Sequence, residues 1–427
     1  MTGDRWEQSG LAFLTGDPDG PPDHSCAPLL DRAQANLDRF RTLTGVRASH
    51  PDAAEFLSGR AALTGFRRGG RISAGGAARL IAARDTWCAL SLPRPDDVDL
   101  IPALLRHPLE NTDVWPHVEA AVAESDAAEF VARARLLGLA AAVLGEVTPA
   151  PTPIRSRGTT RAHRPMGDLL VADLSSLWAG PLCGRLLADA GATVVKVEGV
   201  TRPDGTRRGN PEFFTWMNGP KLTYAADFSR DPAAVARLLQ AADVVIEASR
   251  PRALARYGLD ADGLAPRPGQ VWLRITAHGA ENEAAQWVGF GDDAAVAGGL
   301  VGHTPRGPVF CADAIADPLT GIESARLVAE ALDGGGGRLI DVALSAVAAR
   351  HAACGTTGPG AGALSPRHDP RTQKPPIHGP QTERRPGLGE TRPSVPLVGG
   401  HPIRAVGADN PVVDALVDER LTSPRGG

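Results

Sequence analysis

Lysine is almost missing from this chain. Of its 45 Lys and Arg side chains only Lys196, Lys221 and Lys374 are lysine. With Ala, Gly and Pro also abundant, this is the pattern of a GC-rich codon bias, so an arginine by itself marks no binding site. Basic charge is not in excess either: the net charge is −4 and the pI near 6.3, which counts against a general nucleic-acid binder. The five cysteines, Cys26, Cys88, Cys183, Cys311 and Cys354, lie far apart with no CxxC pair. That spacing argues against a zinc site or a disulfide framework and fits a reducing cytosol. No run approaches the roughly 18 charge-free apolar residues that a membrane-spanning helix needs. The stretch Met1–Asp17 carries Asp4, Arg5 and Glu7 and no apolar h-region, unlike a signal peptide. A cytoplasmic protein with no metal site, no membrane partner and no nucleic-acid partner is therefore expected.

What is present suits a folded chain. Apolar residues make up 42% and charged residues 22% of 427 residues, enough for a sizeable core and about two domains. Gly (49) and Pro (37) are both plentiful, which predicts many turns. Residues 1–150 read as a small α/β domain, with strand character in Asp85–Leu92, helical spacing in Asp96–Leu105, a helix over Ser125–Leu139 capped by Ser125, and a buried strand from Ala140. Residues 151–165, within the Thr/Pro/Arg-rich stretch Thr148–Pro165, read as a linker.

From residue 166 the pattern changes. Asp168–Leu174, Thr193–Glu198, Asp243–Ala248 and Val271–Thr276 are short β-branched runs, several of them separated by helical patterns. That alternation predicts a Rossmann-like, doubly wound parallel sheet over residues 166–354. The first helix starts near Pro181 and stops at Gly191. Residues 355–400 read as a Pro/Gly-rich flexible segment, and 401–427 as a C-terminal segment with a final helix, Asn410–Leu421. The fold class is thus α/β, a Rossmann-like doubly wound parallel-sheet domain plus a smaller α/β domain. The turn after the first strand, Leu177-Trp178-Ala179-Gly180-Pro181, lacks G-x-G-x-x-G, and Pro181 removes a helix N-terminal amide. A dinucleotide site is therefore disfavoured.

Five segments in order, "DLSSLWAGPLCGRLLADAGATVVKVE", "NGPK", "DVVIEASRPRALARYGL", "IADPLTGIESARLVAEAL" and "GGGGRLIDVALSAVAA", resemble the successive signatures of class III CoA-transferases of the CaiB–BaiF type. This family includes formyl-CoA and carnitine CoA-transferases and α-methylacyl-CoA racemases. The resemblance implies that Asp317, in "IADPLTG", is the nucleophile. Read by itself, Asp317 ahead of Pro318 is an ordinary helix cap. The resemblance also implies that Trp178 and Ala179 line the CoA pocket, that Asn218 and Lys221 match N-x-x-K with Lys221 for a phosphate, that Ala248, Ser249 and Arg250 surround the adenosine, and that Arg256 meets a phosphate. For each arginine a solvated surface charge is the rival reading.

The family's racemases need a His where "GFGDD" places Phe290, and Phe cannot move a proton. His278 and His303 are out of register. The expected activity is transfer of CoA from an acyl-CoA donor to a carboxylic acid through aspartyl anhydride and thioester adducts, with acyl-CoA as a substrate and no permanently bound cofactor. The alternatives are an α-methylacyl-CoA racemase or epimerase, and a non-catalytic acyl-CoA-binding protein derived from a tandem enzyme. The small domain of the family normally follows the nucleophile; here it comes first, which implies a permuted order. An interlocked homodimer is the assembly the resemblance implies, and Gly355–Gly362 is the candidate for the loop that closes over Asp317.

Overall fold

The computed structural model describes residues 2–46, 51–109, 113–250, 252–353, 390–400 and 402–422. The candidate closing loop, Gly355–Gly362, lies outside them, as do Cys354 and Lys374. The chain is mixed α/β. Its main sheet contains β4 (Ile154–Ser156), β5 (Leu170–Asp173), β6 (Thr193–Gly199), β7 (Leu222–Ala226), β8 (Val244–Glu247), β9 (Val271–Thr276) and β12 (Arg338–Ala343), in the order β4-β12-β9-β8-β5-β6-β7. All neighbours are parallel except β4, which runs antiparallel on the β12 edge. From β7 to β12 the order is that of a doubly wound nucleotide fold, and it reverses between β5 and β8.

Both faces of this sheet are covered, so its strands are apolar at successive positions rather than at alternate ones. Val171, Val194, Ile246 and Leu273 point to one face, toward the helices Ala179–Asp189 and Ala316–Asp333. Leu170, Ala172, Val195, Val245 and Trp272 point to the other, toward Pro232–Ala241 and Asn410–Thr422. The period of two along each strand sorts them. Gly191, after the first of these helices, has φ 101°, a backbone that favours glycine and ends the helix where expected.

The N-terminal third differs from the sequence expectation of one small domain over 1–150. The helices Thr2–Gln8, Leu11–Leu14, Pro28–Thr44 and Ala53–Thr64 carry Trp6, Leu30, Leu37, Phe40 and Phe56 into the same core as Ile246, Leu273 and Ile322. Only the part beyond them forms a separate core. There the antiparallel strands β1 (Ala78–Ala82), β2 (Trp87–Ser91) and β3 (Ala140–Val143) pack against the helices Trp115–Ala123 and Ala127–Leu136 through Cys88, Leu90, Val118, Phe130 and Ala141. The other face of that sheet, Ala78, Leu80 and Ala89, leans on Val296, Val301 and Phe310 of the large unit.

Two local expectations also change. Ser125 does not cap the second of these helices: its hydroxyl donates to the carbonyl of Ala121, and the Asp85 carboxylate accepts from the Ala127 amide instead. Within 151–165, expected to be a linker throughout, Ile154–Ser156 hydrogen-bonds as the edge strand β4.

Candidate active site

Doubly wound sheets bind ligands outside the carboxyl ends of their strands, where the strand order reverses. Here that place lies beyond Asp173 of β5 and Glu247 of β8. The segment after β5 is tightly held. Lys196, fully buried on β6, donates to the Ser175 carbonyl and, at 2.9 Å, to Asp204. Asp204 in turn accepts from the Leu177 amide at 3.2 Å and from the Thr206 amide and hydroxyl. The result fixes Leu177 at φ 70°, a left-handed conformation costly for a branched side chain, and leaves its side chain exposed. Trp178 and Ala179 follow as the buried start of the helix Ala179–Asp189.

Asp317 sits in the first turn of the 18-residue helix Ala316–Asp333. Its amide donates to the Ala314 carbonyl at 2.9 Å, and its Oδ2 accepts from the Gly291 amide at 3.1 Å. Gly291 opens the helix Gly291–Ala297, so the positive dipole ends of two helices meet at this carboxylate. The approach requires glycine: a Cβ on Gly291 would lie 2.3 Å from the Ala314 carbonyl oxygen and 2.5 Å from Asp317 Oδ2. The turn leading to Asp317 is strained, with Ala312 at φ 53° and Ala314 at φ 42°.

Between these two alanines Asp313, fully buried, is gripped by Arg60. Arg60 Nε donates to Oδ2 at 2.8 Å and Nη2 to Oδ1 at 2.5 Å. The same guanidinium lies over the Trp178 ring, 4.7 Å from its centre. Asp292 completes the group, accepting from the Ala314 amide at 3.0 Å. Burial pushes Asp317 up to about 7, Asp292 and Asp313 add to the rise, and Arg60 and the Gly291 amide oppose it. Burial and Asp313 push Asp292 up to about 6. Burial works against the charge of Arg60, but its acidic neighbours, Asp313 foremost, more than offset that and hold it cationic. A carboxyl that ionises near neutrality, at the head of a helix and beside the crevice, can act as a nucleophile toward an acyl carbon.

The residues expected to hold CoA divide into two groups. Trp178 and Ala179 on one side, and exposed Ala248, part-buried Ser249 and exposed Arg250 on the other, flank the reversal point of the sheet. The Ser249 hydroxyl oxygen is buried with no hydrogen-bond partner among the described residues. Arg256 is exposed, its guanidinium 4.5 Å from the Tyr257 ring centre. Lys221 and Asn218 do not join them. Lys221 Nζ is buried and donates to Asp173 at 2.8 Å, to the Pro181 carbonyl at 2.8 Å and to Asn218 Oδ1 at 2.9 Å. All three ammonium hydrogens are used inside the fold, and nothing remains for a phosphate. Asn218 is buried with it, its amide donating to the Phe214 carbonyl.

Phe290 occupies the N-cap of the helix Gly291–Ala297, under the Arg94 guanidinium. His303 is exposed. His278 is buried, with no hydrogen-bond partner for either ring nitrogen among the described residues, and burial drives it down to about 3.

Sequence reading missed Arg60, Asp292 and Asp313. Arg60 gave no signal, being one arginine among very many. Asp313, four residues before Asp317 in "CADAIAD", and Asp292 in "GFGDD" were visible only as acids beside motifs read for other residues.

Residues 166–377 match CoA-transferase family III. Among curated proteins, the succinate–glutarate CoA-transferase of Agrobacterium fabrum is 34% identical over 205 residues, covering 42% of this chain and 51% of that protein. The succinyl-CoA–D-citramalate CoA-transferase of Chloroflexus aurantiacus is 31% identical over 201 residues, 43% of this chain and 50% of that protein. The chain thus spans about half the length of these relatives. Among solved structures, a CAIB/BAIF family protein from Brucella suis aligns with 31% identity and a TM-score of 0.41, over 44% of this chain and 55% of that one.

Proposed function

We propose that this protein moves CoA from an acyl-CoA donor to a carboxylic acid, with Asp317 as the nucleophile. The observation that carries the reading is the Asp317 carboxylate at the head of Ala316–Asp333, within the family region, held by the Gly291 amide. Asp317 attacks the thioester carbonyl and the CoA thiolate leaves, giving a mixed anhydride. The thiolate then attacks the aspartyl carbonyl of that anhydride and the donor acid departs, leaving an aspartyl-CoA thioester. The acceptor carboxylate attacks this thioester, expels the thiolate and forms a second anhydride. Return of the thiolate to the acceptor carbonyl releases the new acyl-CoA and frees Asp317. Each step exchanges one activated acyl bond for another, so no ATP is required.

CoA would lie across the reversal point between β5 and β8, with Trp178, Ala179, Ala248, Ser249 and Arg250 around it and Arg256 at a phosphate. The names of the relatives make short dicarboxylates the first acceptors to test. The protein is further proposed to act in the cytoplasm as an interlocked homodimer, which light scattering should find intact on dilution; a freely reversible monomer–dimer equilibrium would overturn the interlock.

Incubation with acyl-CoA followed by borohydride or hydroxylamine trapping should mark the Asp317 peptide in mass spectrometry. The Asp317→Ala variant should lose transfer and adduct while binding CoA nearly as the wild type does. Wild-type turnover by that variant would overturn the assignment. Exchange of α-deuterium without an adduct would favour the racemase.

A further inference from the structure

Arg60 comes from outside the residues that match the family. It lies on the helix Ala53–Thr64, more than a hundred residues before position 166, where the match begins. Its two bonds to Asp313 are parallel and bidentate, the strongest arrangement for this pair. Asp313 stands between Ala312 and Ala314, the two residues held at positive φ. Such backbone persists only where its surroundings over-determine it, and here four contacts do so, one of them the Thr15 hydroxyl accepting from the Ala312 amide. Arg60 holds the side chain between the two alanines, Asp292 holds the Ala314 amide, and the Asp317 amide holds the Ala314 carbonyl. The turn therefore connects Arg60 to Asp317 through a single short path. The Trp178 ring, on the other face of the guanidinium, ties the same cation to the crevice.

We propose that Arg60 is a positioning residue for Asp317: it locks the Ala312–Ala314 turn through Asp313 and supplies the positive charge that keeps the Asp317 carboxylate available for attack. The acids packed around Asp317 are Asp292 and Asp313, and Arg60 is the cation that faces all three. Without it, Asp317 would meet two acids and no positive charge among these groups. The mechanistic meaning of this role rests on the transferase reading; the charge relationship itself does not.

The test therefore reads the carboxyl directly. A diazo reagent esterifies protonated carboxyl groups, and mass spectrometry of the Asp317 peptide across pH gives the midpoint of its ionisation in the full-length protein. Arg60→Gln should raise that midpoint by about one unit or more, the usual effect of losing an opposite charge at close range, and Arg60→Lys should largely restore it. Because Arg60→Gln leaves Asp313 buried and unpaired, Arg60→Gln with Asp313→Asn is the second variant. It removes the orphaned charge, and its midpoint should still lie above that of the wild type, because Arg60 acts on Asp317 more strongly than Asp313 does. In transfer assays the acid limb of the pH profile should move up in parallel. An unchanged or lowered midpoint in both folded variants would overturn the proposal. A raised midpoint in a protein whose wild type forms no adduct with any acyl-CoA would sink the transferase reading and leave the role of Arg60 standing.

Discussion

Lys221 carries a charge with no route to solvent. Burial lowers its pKa and the Asp173 carboxylate works against that fall, so the two residues depend on each other rather than on a ligand. Removing one member of a buried pair leaves the other uncompensated, at a cost of about 3–5 kcal/mol. Lys221→Ala should therefore lower the unfolding midpoint in urea sharply and weaken CoA and dephospho-CoA to the same degree. Lys221→Met combined with Asp173→Leu should recover much of the stability. Selective loss of phosphate-bearing ligands in a stable Lys221→Ala protein would instead return the lysine to the CoA site.

Asp293 allows a second test, in pH. Its Oδ1 accepts from Ser91 and from the Phe290 amide, while Oδ2 is buried without a partner, 3.9 Å from His278 Nε2. Burial raises it from 3.8 to about 7. A raised acid stabilises the fold fully below its unfolded value, and that contribution is lost as pH climbs through the folded one. Asp293→Asn keeps the Oδ1 bonds and removes the titration. It should gain roughly 1–3 kcal/mol over wild type on going from about pH 5 to about pH 8.5, read from denaturation midpoints at the two values. Identical pH slopes for the two proteins would contradict the assignment.

The two helices that meet at Asp317 were unequally legible. "IADPLTGIESARLVAEAL" announces a helix from Pro318 with Asp317 as its cap, but the structure begins that helix at Ala316 after Ile315, so Asp317 lies inside the first turn and is not the cap. Gly291 shows nothing in sequence, because its value lies in a contact with Ala314 and Asp317 that only the tertiary fold creates. Ser125 failed as a cap for the same reason: Asp85, distant in sequence, reaches the helix start first. The resemblance assigns Lys221 to a phosphate through N-x-x-K, yet the same spacing serves equally well to bury a lysine against Asn218 and Asp173. The strands were easier, since continuous β-branched runs in a sheet covered on both faces are themselves the pattern. In the C-terminal helix Asn410–Thr422 the apolar residues sort unevenly: Val413 and Val417 are buried, while Val412 is 52% exposed. Gly291→Ala tests the helix junction. A methyl group 2.3 Å from a carbonyl oxygen forces the two helix starts apart. The cost should be about 1–3 kcal/mol, together with a loss of adduct at Asp317 larger than any loss of CoA binding. Normal adduct formation in Gly291→Ala would show that the Gly291 amide is dispensable.

At the scale of the whole molecule, the question is what the first 66 residues do for the rest. The helix Pro28–Thr44 packs along Ala316–Asp333, burying Leu29, Leu30, Ala33, Leu37 and Phe40. Phe56 of the next helix stacks on Trp216, with ring centres 6.0 Å apart. Gly59 beside it leaves room for that indole, since a Cβ there would lie 2.6 Å from the Trp216 ring. Arg32 donates to the Arg350 carbonyl, and the Thr15 hydroxyl accepts from the Ala312 amide at 3.0 Å, next to the strained turn. Farther along the chain, the Arg392 guanidinium lies over the Phe13 ring, 5.8 Å from its centre. These contacts tie the N-terminal helices to the helix Ala316–Asp333 on one side and to the segment from 390 onward on the other. The family-matching region is therefore not expected to stand alone. Each fully buried Leu or Phe removed is worth about 1.5–3 kcal/mol, and several together exceed the roughly 5–15 kcal/mol that holds a typical domain folded. A fragment covering 67–427 should expose the apolar face of Ala316–Asp333, bind a hydrophobic dye such as ANS, aggregate, and lose the cooperative melting of the full chain. Adding residues 1–66 as a separate chain should restore part of the order if the helices are stable enough to dock. A fragment that stays monodisperse and melts as cooperatively as the intact protein would show that these helices are an appendage and that the core closes without them.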